Sequence, residues 1–476
     1  MKVFVAIAIC KILYFIGKLI GKGSSLPGMI ALKVCPDALK HLKLPKHIIA
    51  ITGSNGKTST AELIAHALSA DGKSVGWNHE GSNQTEGVAT LLLRVAAFNG
   101  KVKKDALVLE CDERYARQIF MSIKPSALVV TNLCRDQLTR NGHHEFISDH
   151  IQRAIDEAGS ETVLVLNADD PYVSKFGNIN SKQESDEAKP SPVVIWFGVS
   201  ADFQMSNSGF KVAPKYDDGA FCPVCKSAMR YDYRIAGNYG AFSCSSCNFR
   251  RQQPDFEVRK LDYDSGEIVI VQGQKSERYN PADSDESPRD LTIKTRLDLP
   301  SLVGAYNLAA TLAAVSTAGI SAQTAANSLD RYKLKGGRAV RFTVGGREGI
   351  LLISKHENSL AYDQSLIWAV GQRKPCTVVV LVSDISRKYY TSETSWMWDI
   401  DFDIAADDMV RNIVLAGKYA NELAMRFALT DIDQKKIGYL EDVDKLREYI
   451  EHNTHGDIYV LTCFSDKAKL MSGLGI

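Results

Sequence analysis

The sequence predicts an α/β protein, with a central parallel-sheet domain, a zinc-ribbon insertion within it and a C-terminal Rossmann-like domain. Three observations predict it. Short β-rich apolar runs alternate with helical patterns, as in parallel strands covered on both faces. The loop Gly53-Ser54-Asn55-Gly56-Lys57-Thr58 follows one such run and opens a helix. Four mid-chain cysteines form two Cys-x-x-Cys pairs.

A chain of 476 residues is expected to hold several domains. Residues 1–45 form a lead-in, 46–335 the central domain with its insertion at about 205–255, and 336–476 the C-terminal domain. Central strands are predicted at His47–Thr52, Ala106–Glu110, Ala127–Asn132, Thr162–Asn167 and Val193–Phe197, with helices at about 57–69 and 307–318. The stretch from about 200 to 300 reads as an interruption of this alternation, with a polar acidic loop at 280–289. The helical segment at 307–318 leads to a Gly-Gly-Arg turn at 336–338. Beyond it, strands are predicted at 349–353, 377–382, 412–416 and 457–461, with helices at 359–370, 419–427 and 443–451.

Apolar residues make up 45% and charged residues 24%, an ordinary globular balance. The net charge of +1 provides no global field for nucleic acid or an anionic membrane, so any charge-driven contact is local. Six of the ten cysteines are scattered, mostly in apolar stretches, and the other four are paired, which fits a reducing, cytoplasmic compartment. At the N-terminus, Lys11 interrupts the apolar run Val3–Cys10, too short to span a bilayer. Ile12, Leu13, Phe15, Ile16, Leu19 and Ile20 suit an amphipathic helix, either packed on its own domain or touching a membrane surface.

The glycine loop is a phosphate cradle. Its glycines admit backbone N–H groups to phosphate oxygens at a helix N-terminus. Lys57 suits the β- and γ-phosphates of ATP, and the Thr58 hydroxyl suits Mg²⁺. Gly53, Ser54, Asn55, Gly56, Lys57, Thr58 and Ser59 are therefore the candidate nucleotide residues. A strict P-loop carries glycine where Ile51 stands, so this is a variant loop. Cys222, Cys225, Cys244 and Cys247, with eighteen residues between the pairs, suit tetrahedral Zn²⁺ in a closed structural site. Redox activity and nucleic-acid binding through Tyr231, Tyr233, Arg234, Phe249, Arg250 and Arg251 are weaker readings. Glu110, at a strand end, suits a second Mg²⁺ contact, against the plainer reading of a solvated acidic loop. The polar run Thr131–Gln137 sits similarly after another strand.

These residues resemble the Mur ligase superfamily, in which ATP forms an acyl phosphate that an amine attacks. The likeness is narrower to the MurT-type subunits, which work with the glutamine amidotransferase GatD to amidate D-glutamate in lipid II. It rests on the loop at 53–58, Asn78–Gly87, Glu110-Cys-Asp-Glu113, Thr131–Arg140, Asn167-Ala-Asp-Asp-Pro171, Gly304-x-Tyr306-Asn307 and the four-cysteine insertion. The resemblance implies a Mur-ligase-type ATPase domain in which Asn307 and Arg338 contact base and phosphates, Thr58 and Glu110 hold Mg²⁺, and Asn83 contacts substrate. In Thr394-Ser-Trp-Met-Trp-Asp399 it implies an acid, Asp399, that serves the partner's glutaminase site; Glu393 aligns with an earlier family aspartate. Three segments depart from the family pattern: Lys355–Gln364, Thr139, and Cys463-Phe464. The chain shows no glutaminase nucleophile elbow of its own, so ammonia from a GatD-like partner is implied. The implied location is the cytoplasm, by the membrane's inner face. Competing readings are a stand-alone amino-acid ligase, a zinc-ribbon nucleic-acid-binding ATPase and a scaffold with a dead nucleotide site.

Overall fold

The computed structural model describes residues 2–19, 24–79, 82–137, 141–177, 191–205, 218–273, 290–335, 339–355, 357–383 and 394–476. The predicted acidic loop at 280–289, the Gly-Gly-Arg turn with Arg338, Glu393 and Thr139 lie outside them. The chain forms two compact units. One holds residues 1–133, 145–204 and 218–336; the other holds 134–144, 205–217 and 337–476.

The first unit is built on a nine-stranded sheet in the order β11-β10-β9-β6-β5-β4-β1-β3-β2. Its strands are β1 His47–Thr52, β2 Val75–Trp77, β3 Ala106–Glu110, β4 Ala127–Val130, β5 Val163–Asn167, β6 Val194–Met205, β9 Phe256–Leu261, β10 Glu267–Gln272 and β11 Leu291–Arg296. A hairpin of β7 Met229–Ala236 and β8 Tyr239–Cys244 stands in the insertion. The helices are α1 Lys2–Leu19, α2 Leu26–Val34, α3 Lys57–Ala70, α4 Thr85–Val95, α5 Ala116–Phe120, α6 His144–Ala158, α7 Pro171–Ser174, α8 Leu302–Ser316 and α9 Ala322–Ser328. Strands β1 to β6 pair in parallel. Their β-branched and leucine runs are buried on both faces, as in β3 and β4, where every residue is buried.

The reading of residues 200–300 as one interruption is corrected by the structure. Only part of it is insertion, because β9, β10 and β11 extend the same sheet as an antiparallel meander. The signal was missed because β11, Leu-Thr-Ile-Lys-Thr-Arg, buries only Ile293 and Thr295 and lacks the apolar run of a central strand. The helix predicted from Asn307 begins at Leu302, where the Ser301 hydroxyl accepts from Gly304 N at 3.0 Å. The predicted N-terminal helix forms, and of its two readings only the packing of that apolar face on its own domain is overturned. Helix α1 buries Ala6, Ile7, Cys10 and Gly17, whereas Ile12, Phe15, Ile16 and Leu19 are exposed. Among the described residues no helix is long and apolar enough to cross a membrane.

The second unit carries a six-stranded sheet, β12-β13-β17-β14-β15-β16. These are β12 Ala339–Val344, β13 Arg347–Ser354, β14 Cys376–Leu381, β15 Val410–Ala416, β16 Ile437–Leu440 and β17 Asp457–Cys463. All neighbours pair in parallel except the edge strand β12. Helices α10 Ser359–Gly371, α11 Ala420–Phe427, α12 Leu446–Asn453 and α13 Lys467–Leu474 complete it. The Rossmann-like prediction stands, with predicted strands displaced by one or two residues. The helix predicted at 443–451 is a 3₁₀ turn, Val443–Lys445, running into α12.

The first unit's core joins α1, α2, α4 and α5 to the sheet through Leu92, Leu107, Phe120 and Leu128, all fully buried. Phe120→Ala should leave a cavity and cost about 3–5 kcal/mol of stability. A denaturant midpoint unchanged from wild type would contradict this packing.

Candidate functional site

Parallel strands β1, β3, β4 and β5 deliver four loops to one edge of the sheet, where doubly wound folds place their ligands. The loop after β1 has Gly53 at φ 124° and Gly56 at φ 81°, conformations that glycine tolerates best. Space is as restrictive as angle. A Cβ on Gly53 would lie 2.4 Å from Thr131 Oγ1, and one on Gly56 would lie 2.3 Å from Asn307 Oδ1. The loop is tied to the turn after β4: Ser54 N donates to Asn132 O and Asn55 N to Asn132 Oδ1, both at 2.8 Å. Thr131 Oγ1 donates back to Asn55 O at 2.6 Å. Helix α3 then starts at Lys57, with Thr58 and Ser59 half-exposed in its first turn.

Lys57 is buried. Its ammonium donates to the Gly53 carbonyl, to Ser54 O at 3.4 Å and to the Glu113 carboxylate, itself buried. Glu110 closes β3. Asn78 brackets its backbone, accepting from Glu110 N at 2.9 Å and donating to Glu110 O at 2.8 Å. Asn83 Nδ2 donates to Glu110 Oε1 at 3.1 Å, and Asn83 O accepts from Asp112 N at 2.8 Å. Thr58 and Glu110 offer only oxygen donors, which fits a hard cation such as Mg²⁺.

A second buried node stands behind the loop. The Asp169 carboxylate accepts from Arg251 Nε at 2.6 Å, from the Tyr306 hydroxyl at 2.7 Å and from Val199 N at 2.7 Å. Burial pushes its pKa up, and the Arg251 charge and the Tyr306 hydrogen bond oppose that. Asp170 accepts from Leu133 N at 2.7 Å and Tyr172 N at 2.9 Å, and burial still raises it to about 7. Tyr306 precedes Asn307, so this node sits one residue from the side chain packed on Gly56.

Arg251 also ends the insertion. There the four Sγ atoms of Cys222, Cys225, Cys244 and Cys247 lie within 4.8 Å of one another. Zn–S bonds of about 2.3 Å at tetrahedral angles put sulfurs about 3.8 Å apart. Cys222 and Cys247 stand at 3.8 Å, and Cys225 and Cys244 at 3.4 Å. The cluster is therefore compatible with zinc. Burial pushes the Cys222 thiol up to about 12, while hydrogen bonds from Ser227 hold Cys225 down to about 6. Phe242 and Phe249 stack at 5.2 Å beneath it.

In the second unit, Asp399 ends the 3₁₀ turn Ser395–Asp399 and lies 3.4 Å from Arg135 Nη1. Trp396 is buried against Tyr362, and Trp398 is exposed. Asp136, also buried, accepts from Asn358 Nδ2 at 2.8 Å and pairs with Lys355 at 3.3 Å.

Residues 51–222 match the Mur ligase middle domain family, and residues 356–466 match the MurT ligase C-terminal family. The lipid II isoglutaminyl synthase (glutamine-hydrolyzing) subunit MurT of Staphylococcus aureus (strain N315) is 27% identical, over 91% of this chain and 89% of that protein. Its counterpart in Streptococcus pneumoniae (strain ATCC BAA-255 / R6) is 28% identical, over 95% and 92%. The chain is similar to the Mur ligases, and it is MurT-like along nearly its whole length. Solved Mur-type ligases share the fold. A pseudomurein peptide ligase type C from Methanothermus fervidus superposes with TM-score 0.65 at 17% identity, covering 92% of this chain and 80% of that one. The MurF ligase of Thermotoga maritima, in complex with ADP, gives 0.59 at 15%, covering 94% and 83%.

The structure thus gathers the predicted Gly53–Ser59 and Asn307 at one loop, Asn83 at Glu110, and the four cysteines at one point. Glu113 as the partner of Lys57, and the Asp169–Arg251–Tyr306 node, were missed. The Asp169-Asp170 pair ahead of Pro171 was the available signal, since adjacent acids at a strand end need partners once buried. Gly56→Ala should clash with Asn307 and lower nucleotide affinity at least about tenfold; calorimetric titration with ADP giving wild-type affinity would contradict the packing. Stripping zinc with a chelator should lower the melting temperature, and Cys225→Ser should bind less than one zinc per chain by metal analysis.

Proposed function

We propose that this chain is the ligase subunit of a two-subunit amidating enzyme, converting the D-glutamate α-carboxyl of lipid II to the amide with ATP. The observation that carries the ATP chemistry is the glycine loop pressed between Thr131–Asn132 and Asn307, with Lys57 at the helix start and Glu110 held by Asn78 and Asn83. The MurT-type relatives supply the acceptor and the glutamine requirement, which their names state for those proteins.

The acceptor carboxylate attacks the γ-phosphorus, ADP leaves and an acyl phosphate forms. Ammonia then attacks the acyl carbon, loses a proton and expels inorganic phosphate. Loop N–H groups and the start of α3 hold the phosphates. Lys57 exchanges the Gly53 carbonyl for phosphate oxygens and offsets the charge that develops there. Asn307 lies against the loop to fix it, and Arg338 is assigned to the same nucleotide. Magnesium, held by Thr58 and Glu110, would supply charge neutralisation between phosphate and acceptor. Asn83 orients Glu110 and borders the acceptor. The cysteine cluster is assigned structural Zn²⁺.

Ammonium predominates over ammonia at neutral pH, so a GatD-like glutaminase is assigned as partner. Asp399 is half-exposed beside the exposed Trp398, which favours it for a contact with that subunit's glutaminase site. Free cysteines fit a reducing compartment, and the work is assigned to the cytoplasm.

The purified chain with ATP, lipid II and glutamine should form no amide, and adding the glutaminase subunit should restore it. Glutamine-dependent amidation by the chain alone would overturn the partner assignment. Lys57→Ala should lose at least roughly 10²-fold in rate. Asp399→Asn should abolish glutamine-driven but not ammonia-driven amidation by the complex; equal loss of both would place Asp399 elsewhere.

A further inference from the structure

The outward face of α1 is apolar along its length. Along its 18 residues, Ala6, Ile7, Cys10 and Gly17 turn inward, and the helix packs on α2 and α4. Lys11 Nζ is fastened to Arg94 O at 2.6 Å, and Arg94 Nη1 donates to the Tyr14 hydroxyl at 2.5 Å. The opposite face carries Phe4, Val5, Ile12, Phe15, Ile16 and Leu19 at helical spacing, with Phe15 66% and Leu19 73% exposed. Phe98, on the loop after α4, continues the stripe with its ring 5.0 Å from that of Phe4. A contiguous apolar stripe of this kind marks an interaction site.

Charge selects the occupant. The first 36 residues contain five lysines (Lys2, Lys11, Lys18, Lys22 and Lys33) and no aspartate or glutamate, although the whole chain is only +1. Lys2 and Lys18 are exposed at the two ends of the stripe. A second copy would set one all-lysine segment against another. An anionic bilayer instead accepts the apolar side chains below its headgroups and draws the ammonium groups to them. The helix cannot span: it is about 27 Å long against a hydrocarbon core of about 30 Å, and its inner face is bound to the domain.

We propose that α1 lies in the plane of a bilayer surface rich in anionic lipid, with Phe4, Ile12, Phe15, Ile16, Leu19 and Phe98 inserted and Lys2 and Lys18 at the headgroups. The assignment stands apart from the amidation chemistry, because binding to lipid needs neither nucleotide nor acceptor.

The test is flotation of the full-length protein with phosphatidylglycerol vesicles and with phosphatidylcholine vesicles. Binding should favour phosphatidylglycerol and weaken as salt is raised. Phe15→Glu with Ile16→Glu should lower it at least about tenfold, since two apolar insertions are lost, with the circular dichroism and ADP affinity of the wild type. Lys2→Glu with Lys18→Glu should remove the preference for phosphatidylglycerol. The proposal is overturned if neither vesicle binds, or if the Phe15/Ile16 variant binds like wild type. It is equally overturned if sedimentation shows a dimer that this variant dissolves and no vesicle binding.

Discussion

The glycine loop has almost no freedom, and much of the first unit's design follows from that. Between β1 and α3 the backbone turns through two positive φ values with an asparagine side chain on one side and a threonine hydroxyl on the other. Neither glycine has room for a methyl group. To keep those walls in place, β4 must end where Thr131 and Asn132 can reach the loop, and α8 must present Asn307 at its third position past Gly304. Sheet order serves the same end, since β1 lies between β3 and β4 and so neighbours both walls of acidic and polar side chains.

The buried Lys57–Glu113 pair is the chemical counterpart of that geometry. An unpaired ammonium at this depth would be costly, so without phosphate the lysine needs a carboxylate and carbonyls to answer it. On the proposed function, nucleotide binding is an exchange of partners within an already desolvated pocket. Such exchange favours a ligand that brings more negative charge than Glu113 alone supplies.

Much of this is legible in the amino-acid sequence itself. Parallel strands announce themselves by apolar runs, and β1, β3 and β14 were readable because both their faces are buried. The loop and the cysteine pairs were readable because their chemistry demands fixed spacing. Three things were not. Edge strand β11 buries only Ile293 and Thr295, so it lacks the apolar run by which the parallel strands were read. The inward face of α1 was not read, because Ala6, Ile7, Cys10 and Gly17 rather than the larger run from Ile12 face its neighbours. Partners far apart in sequence, such as Asp169 with Arg251 and Tyr306, leave no periodic trace at all.

The same Asp169 decides how the molecule can be taken apart. Its carboxylate is answered by Arg251 at the end of the cysteine-bearing insertion, while its own backbone carbonyl accepts from Gly240 within the hairpin. The insertion is therefore no removable ornament. A minimal domain made by splicing out the ribbon would leave the buried Asp169 carboxyl without its cation, while still bound to Tyr306, the neighbour of the side chain that shapes the glycine loop. Any shortened version would have to replace that aspartate in the same stroke.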